Sequence, residues 1–249
     1  MGKIIAVVNQ KGGVGKTTTV INLAAALREH GKRVLVADFD PQANATSGLG
    51  VEKGRGKTIY DLVLGGAEGR SALVQTKFCD VLPASSALAG AGVELIAMED
   101  REHRLRAVLS PFREEYDYIF IDCPPSLELL TLNGLCAADS ILVPVQCEYY
   151  ALEGLSDLMA TLRGVKRRLN PRLEIFGVLL TMYDGRTNFS AQVAQEVRRH
   201  FPGKVFSAVI PRNVRLAEAP SHGLPVTAYD RSSRGAEAYL QLAREIISK

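Results

Sequence analysis

The sequence lacks the features of several protein classes. No apolar run in its 249 residues approaches the ~20 residues that a membrane-spanning helix needs. The first residues enter a strand and a loop at once, which leaves no room for a signal peptide. No internal repeat, low-complexity tract or long linker is visible. Membrane-spanning, secreted and repeat proteins are therefore not expected.

Cysteine is scarce and irregularly spaced. Its four copies form neither a CxxC pair nor a Cys/His ligand pattern. Metal and iron–sulfur ligation need several thiolates at suitable spacing, so neither is expected. We interpret all four as buried thiols in a reducing cytoplasm, namely Cys79, Cys123, Cys136 and Cys147.

The apolar runs of the chain are short and continuous rather than alternating. The apolar fraction of 47% and charged fraction of 23% are those of an ordinary globular protein. Continuous runs are typical of strands covered on both faces, as in a parallel sheet between helices. Strands are predicted at Ile4–Val8, Val34–Ala37, Tyr118–Ile121, Ile141–Val145, Ile175–Leu180 and Val205–Ile210.

Helical patterns lie between these runs. Apolar residues recur at i, i+3, i+4 and i+7 from Val20 to Leu27, and Gly31 follows as a helix stop. A similar stripe extends from Ala238 to Ile246. Alternation of strands and helices predicts one doubly wound α/β domain over residues 1–249, with a mostly parallel sheet flanked by helices. The Gly-rich segment Gly50–Gly69 is predicted to be a surface excursion.

A phosphate-binding loop follows the first predicted strand. Residues 10–18 read QKGGVGKTT and lead into a helical pattern, which is the context that a P-loop requires. Glycines let backbone N–H groups turn towards phosphate oxygens, and the new helix directs its positive end to the same place. Lys16 can reach the β- and γ-phosphates, and the Thr17 hydroxyl can complete a Mg²⁺ shell. The nucleotide-binding set is Lys11, Gly12, Gly13, Val14, Gly15, Lys16, Thr17 and Thr18.

Carboxylates follow two other predicted strands. Asp38 and Asp40 end one strand and Asp122 ends another, where ligands bind in sheets of this type. Asp38 and Asp40 would point the same way if the strand continued, so they would need a cation or separate partners. Asp122 is interpreted as the acid near Mg²⁺, acting through a water molecule.

Positive charge is concentrated in the second half of the chain. The segment 163–234 holds 13 Lys/Arg against 5 Asp/Glu, whereas the remainder holds 17 against 22. This asymmetry is compatible with a polyanion-binding face and equally with fortuitous clustering on a solvated surface. Charge alone does not decide between the two.

The loop itself resembles the deviant Walker A motif of ParA/MinD-type ATPases. The usual glycine six residues before Lys16 is replaced by Gln10, and Lys11 follows it. The resemblance implies that Lys11 reaches the partner's nucleotide across a dimer, as an arginine finger does. It also implies that Asp40 positions or activates the attacking water and that Asp38 supports the site as a possible metal ligand. Ala43 stands where the family commonly has glycine.

The resemblance covers nearly the whole chain and is closest to the chromosomal ParA (Soj-type) branch. It is carried by the segments 144–154 (PVQCEYYALEG) and 210–221 (IPRNVRLAEAPS). It implies that Pro211 and Asn213 lie against adenine and that Gln146 and Glu148 lie near the dimer interface. Basic residues in positions that this branch uses on DNA phosphates are Arg186, Arg198, Arg199, Lys204 and Arg215. Arg163, Lys166 and Arg167 are interpreted as solvated.

The implied activity is that of a partitioning ATPase. ATP and Mg²⁺ would close a homodimer, which binds double-stranded DNA without sequence preference and is stimulated by a ParB-type partner. The expected location is the cytoplasm, on the nucleoid, without membrane attachment. Slow turnover is expected of the isolated protein.

Three other functions are compatible with parts of the sequence. A MinD-like membrane regulator needs a C-terminal amphipathic helix with a basic face, whereas Arg234–Lys249 mixes both charges. A non-catalytic scaffold would not need Lys11, Lys16, Asp40 and Asp122 together. A small-molecule kinase would need an arginine-rich lid, which composition alone does not exclude.

Overall fold

A seven-stranded sheet forms the centre of the described part of the chain. The structure is a computed structural model that describes residues 1–148 and 151–249. Tyr149 and Tyr150, part of one family-like segment, lie outside the described residues. The strands are β1 (Lys3–Val7), β2 (Val34–Asp38), β3 (Val74–Gln75), β4 (Asp80–Leu82), β5 (Tyr118–Asp122), β6 (Ser140–Gln146) and β7 (Glu174–Thr181).

The strand order is β3-β4-β2-β5-β1-β6-β7. All neighbouring strands pair in parallel except β3 and β4, which are antiparallel. Parallel pairing places the carboxyl ends of β1, β2, β5, β6 and β7 at one edge of the sheet. The predicted mostly parallel, doubly wound sheet is confirmed.

Helices cover both faces of the sheet. They are α1 (Lys16–Glu29), α2 (Asn44–Gly48), α3 (Ile59–Val63), α4 (Leu88–Glu94), α5 (Arg104–Leu109), α6 (Leu129–Ala137), α7 (Ala151–Arg168), α8 (Asn188–His200), α9 (Val214–Glu218), α10 (Val226–Tyr229) and α11 (Arg234–Ile247). Short 3₁₀ turns occupy Gly69–Ala72, Leu95–Ala97, Ser110–Glu114 and Ala219–His222. Helices α3 to α8 share one apolar core, and α1, α2 and α9 to α11 share the other.

Successive strand residues alternate between these two cores. Ile4 and Ala6 of β1 point into one core, and Ile5 and Val7 point into the other. This is why the strands read as continuous apolar runs. All four cysteines are free and buried, as expected.

The two predicted helix patterns are confirmed. The chain leaves α1 at Gly31, whose φ of 76° is easily reached only by glycine. The C-terminal stripe becomes α11, which packs against α1, and Tyr239 shares a buried 3.1 Å hydrogen bond with Thr19. No helix within the described ranges is long and apolar enough to cross a membrane.

Two sequence predictions were wrong. Residues 205–210 run beside β7 and hydrogen-bond to it at Val178 and Leu180, but they form only isolated bridges and no continuous strand. The Phe206 ring lies over Gly177. An added Cβ on Gly177 would approach that ring to 2.3 Å, so glycine is required there. The segment Gly50–Gly69 is not wholly a surface excursion, since it contains α3, whose Ile59 and Val63 are buried.

Candidate nucleotide site

The P-loop lies between the end of β1 and the start of α1. Gly13 and Gly15 adopt φ of 75° and 91°, the left-handed region that favours glycine. A Cβ on Gly12 or Gly13 would meet no atom within 4 Å, so these glycines face open space rather than packed protein. The first helical bond of α1 runs from Thr19 N–H to the Gly15 carbonyl at 2.9 Å. The preceding N–H groups are left to point at an anion.

Two residues that sequence reasoning missed hold this loop in place. Asn9 donates its amide to the Pro144 carbonyl at 2.8 Å and accepts the Lys11 N–H at 3.0 Å. Thr181 donates its hydroxyl to the Val14 carbonyl at 2.8 Å. The loop is therefore tied to the ends of β6 and β7. The only sequence signal for either residue is its position at the polar end of an apolar strand.

Lys16 is the buried cation of the site. Its side chain is 7% exposed as a residue, and its ammonium donates to the Lys11 carbonyl at 3.1 Å. Burial lowers the pKa of Lys16, and the nearby Asp122 and Asp40 carboxylates oppose that change. The Lys16 ammonium thus donates to a carbonyl of the loop, and a nucleotide phosphate could replace that carbonyl as its acceptor.

Lys11 is the second cation of the loop, and it is paired within its own chain. Its ammonium contacts the Glu148 carboxylate just beyond β6. The Lys11 side chain is 40% exposed, so the pair lies at the surface and can open at small cost.

Asp38 and Asp122 are register partners on neighbouring strands. Both are fully buried. Burial raises the pKa of Asp122 well above its ordinary value, and the adjacent Asp38 raises it further, while the Thr17 hydroxyl and Lys16 oppose the rise. In the described part of the chain neither carboxylate oxygen of Asp122 accepts a hydrogen bond of ordinary geometry, although Thr17 and Lys16 lie near it.

The Asp122 carboxylate fits a hard cation or its bound water. A buried carboxylate without a donor is costly, and Mg²⁺ prefers oxygen ligands while keeping several waters. Within residues 1–148 and 151–249, no cluster of three or more His, Cys, Asp or Glu side chains could hold a metal ion alone. The residues present therefore suit a Mg²⁺ that arrives with phosphates, beside Thr17 and Asp122.

Asp38 has structural partners that sequence reasoning did not foresee. Its Oδ2 accepts both the N–H and the hydroxyl of Thr46 at 2.7 Å, and its Oδ1 accepts the Asp40 N–H at 3.3 Å. The Thr46 hydroxyl in turn accepts the Ala84 N–H at 2.9 Å. Asp38 thus joins the start of α2 to the end of β4. Metal ligation by Asp38 stays a prediction, and these bonds leave it little capacity for that role.

Burial raises the pKa of Asp38 to about 6, and the bonds from Thr46 oppose the rise. Because this carboxyl binds its proton more tightly when folded, its contribution to stability falls as pH rises from about 4 to about 6. We expect a loss of up to about 3 kcal/mol over that window in nucleotide-free protein. Urea unfolding across the window should show a shallower pH dependence for Asp38→Asn, and an unchanged slope would contradict this origin.

β2 ends at Asp38, so Asp40 lies just beyond the strand, with its N–H bonded to Asp38 Oδ1. The two side chains were expected to point the same way only if the strand continued through residue 40. That condition is not met, so they do not share a strand face. Asp40 Oδ1 accepts the Gln42 N–H at 2.9 Å. Ala43 then adopts φ 52°, the conformation that glycine takes readily, which costs about 1–2 kcal/mol for alanine. This explains why glycine is favoured at the position.

A pocket of about 360 Å³ opens beside the P-loop, large enough for a nucleoside. It brings Pro211 and Asn213 together with Gly15 and Thr18, and their contact with adenine stays a prediction. Asn213 Oδ1 accepts the Arg215 N–H at 2.9 Å and so begins α9. Other lining residues are Thr181, Met182, Ile210, Arg212, Val214, Leu216, Ala217 and Tyr239.

The structure places the predicted DNA-contacting residues on separate elements and loops. Arg186 pairs with Asp184 at 2.7 Å, and Arg215 pairs with Glu218 at 2.8 Å and Asp230 at 3.2 Å. Exposed Arg198 and Arg199 lie in the last turn of α8. Lys204 follows the end of α8, and its carbonyl accepts the Val178 N–H of β7 at 2.8 Å. A DNA role for these residues stays a prediction.

Comparison with known proteins agrees with this geometry. A family model described as an AAA domain matches residues 2–175. The chain is 57% identical over 249 residues to the Sporulation initiation inhibitor protein Soj of Bacillus subtilis (strain 168), covering 99% of this chain and 98% of that one. It is 53% identical over 252 residues to the Chromosome partitioning protein ParA of Myxococcus xanthus (strain DK1622), covering 100% and 89%.

A solved structure shows the same fold with nucleotide bound. The septum site-determining protein MinD of Pyrococcus horikoshii, complexed with Mg-ADP, matches with a TM-score of 0.82 at 30% identity. The match covers 99% of this chain and 96% of that one. The apolar stripe that a MinD-like tail would expose is instead buried in α11.

Proposed function

Since the chain belongs to the Soj/ParA family of chromosome-partitioning ATPases, we propose that it is an ATP-driven dimerisation switch that holds DNA in its ATP-bound form. The observation that carries this proposal is that buried Lys16 lies near buried Asp122, whose oxygens accept no ordinary hydrogen bond from the described residues, beneath an open glycine loop. These two groups are complementary to a nucleotide phosphate and to the Mg²⁺ that accompanies it.

The residues of the site divide the work of phosphoryl transfer. Backbone N–H groups from Gly12 to Thr18, including Val14, cradle the phosphates, and Lys16 neutralises them. Pro211 and Asn213 hold the base. Thr17 and Asp122 would hold Mg²⁺, which would supply neutralisation of the phosphate charge when bound. Asp40 orients the attacking water and accepts its proton.

Lys11 completes the site of the partner subunit rather than its own. In the resting chain it is held by Glu148, so it must leave that carboxylate to reach a nucleotide across the dimer. An isolated protomer therefore lacks one cation of its transition-state site, and slow turnover follows. A ParB-type partner would accelerate hydrolysis by favouring the completed dimer.

DNA binding in this proposal is electrostatic. The predicted contacts go to phosphates, and the sequence pattern offers no recognition helix for a DNA groove. Binding is therefore insensitive to sequence and weakens with salt. Dimer closure doubles the number of cations facing one duplex. ATP therefore controls DNA affinity through dimerisation, and the protein is expected on the nucleoid.

The deciding experiment is DNA binding by the Asp40→Ala protein, with ATP and with ADP, on unrelated duplexes over a salt series. We expect binding with ATP alone, equal on all sequences and falling steeply with salt. Wild-type protein with ADP is the matched control. Absence of binding with either nucleotide removes the DNA assignment and leaves the ATP site intact, and liposome binding would then test the MinD-like alternative.

Arg186→Glu should weaken that DNA binding by about tenfold or more at moderate salt and reduce the salt slope by about one per protomer. Its matched control is Arg55→Glu, because Arg55 is also highly exposed and paired with a nearby acid. ATP-dependent dimerisation, followed by sedimentation, should be unchanged. Equal DNA affinity for the two variants returns Arg186 to a solvated surface role.

A further inference from the structure

An apolar pocket of about 340 Å³ lies between α7 and the start of β7, away from the nucleotide site. Its floor is made of aliphatic and thioether side chains, namely Ile141, Met159, Leu162, Leu173 and Ile175. Its rim carries three cations, Arg163, Lys166 and Lys204, against one acid, Glu174. An apolar floor with a cationic rim fits an acidic surface that carries aliphatic side chains.

The rim cations have no ion-pair partner within 4 Å in the portion of the chain that is described. Two other exposed arginines in the same half, Arg186 and Arg215, are paired with acids. DNA phosphates would satisfy the charges but would leave the apolar floor empty. The pocket therefore favours a protein surface over a nucleic acid.

The chain itself carries a surface of the complementary kind. Val93 is 73% exposed and Ile96 is 58% exposed, three residues apart on one side of the turn that ends α4. Glu99 and Asp100 follow, exposed, and neither forms an ion pair within the described ranges. A contiguous exposed apolar patch with a polar rim is the kind of surface that a partner covers.

The two surfaces lie on opposite sides of α6. α4 follows β4 and contacts α3 and α6, whereas the pocket lies between α7, which also contacts α6, and β7. Five strand spacings of about 4.8 Å separate β4 from β7, so one chain cannot reach its own pocket. The contact can only join different copies, and because the surfaces differ it is heterologous.

We propose that the Val93–Ile96 surface of one copy docks into the α7–β7 pocket of a second copy, with Glu99 and Asp100 facing Arg163 and Lys166. The contact includes no residue of the P-loop or the nucleoside pocket. It can thus form without nucleotide, and being heterologous it permits growth beyond two copies. Its small area predicts a weak, concentration-dependent association.

Charge reversal tests the contact in nucleotide-free full-length protein. Arg163→Glu/Lys166→Glu makes the pocket rim acidic, so both surfaces of that variant are acidic. Glu99→Lys/Asp100→Asn makes the Val93–Ile96 surface basic, so both surfaces of that variant are basic. Asparagine is chosen because residue 100 has φ 52°, which it tolerates. Sedimentation velocity over a concentration series should show each variant associating at least about tenfold more weakly than wild type.

Mixing the two variants should restore association, because each acidic surface then meets a basic one on the other variant. Lys77→Glu, an exposed reversal outside both surfaces, is the matched control and should associate as wild type does. Cross-linking gives an independent readout. With all four native cysteines buried, a short bismaleimide should join Glu99→Cys to Lys166→Cys proteins and neither alone.

The proposal is overturned if each charge-reversal variant alone associates as strongly as wild type. It is also overturned if mixing the two variants does not restore association. A failure to cross-link when both variants show wild-type thermal unfolding overturns it as well. If Arg163→Glu/Lys166→Glu instead lowers ATP-dependent DNA affinity without changing association, the rim belongs to the DNA surface and the docking contact is refuted. Because association is measured without nucleotide or DNA, its result is independent of the proposed switch.

Discussion

Lys16→Ala should abolish nucleotide binding, with affinity for ATP and ADP reduced at least about 100-fold. The Lys16 ammonium is buried and makes its only described hydrogen bond to the Lys11 carbonyl. A phosphate that replaces that carbonyl gains a charge-assisted hydrogen bond in a poorly solvated place, worth about 3 kcal/mol or more. Alanine cannot donate a hydrogen bond to the phosphate, and the remaining backbone N–H groups carry only partial charges.

Titration calorimetry with ATP and with ADP, both with Mg²⁺, measures the effect. Lys3→Ala is the matched control, because Lys3 begins the same strand that leads to the loop but is exposed at its opposite end. Removing Lys16 also removes a cation that faces buried Asp122, so thermal unfolding of both variants must accompany the titration. Tight ATP binding by folded Lys16→Ala protein would show that the phosphates lie elsewhere.

Lys11→Ala should still bind ATP and should lose hydrolysis by about a thousandfold, and mixing it with Asp40→Ala should restore activity. A cation supplied in trans to a transferring phosphoryl group contributes about 10³–10⁵ in rate. Lys11 is paired with Glu148 and lies at the loop surface, so its loss leaves the buried Lys16 contact in place.

The mixture distinguishes action in trans from action in cis. In a mixed dimer, the site of the Lys11→Ala protomer keeps its own Asp40 and receives Lys11 from its partner. The second site lacks both groups. With equal amounts combined before ATP is added, half of the dimers are mixed and each has one working site, which gives about a quarter of wild-type activity.

If Lys11 acts on its own nucleotide, no site in any dimer holds both groups and the mixture stays inactive. Protein carrying both substitutions, mixed with Asp40→Ala, is the matched control, because no site in its mixed dimers holds Asp40 and Lys11 together. Activity in that control would point to contamination or to hydrolysis that does not need Asp40. Measuring phosphate release beside dimer mass separates failure of chemistry from failure to dimerise.

The sequence by itself determined the fold class and the chemistry of the site. Continuous apolar strands required cover on both faces, and the parallel sheet followed. The glycine loop between strand and helix specified phosphate binding, because the residues that make it are contiguous. Asp122 was also found from sequence, since an acid at the end of a buried strand has a position fixed by the strand itself.

Only the tertiary structure decided which groups those residues meet. Asn9 reaches the Pro144 carbonyl and Thr181 reaches the Val14 carbonyl, across 135 and 167 positions of chain. The ion pair of Lys11 with Glu148 and the place of Asp38 against Thr46 depend on strand order and loop course in the same way. Spacing encodes contacts within an element, whereas contacts between elements depend on how side chains from distant segments pack in three dimensions.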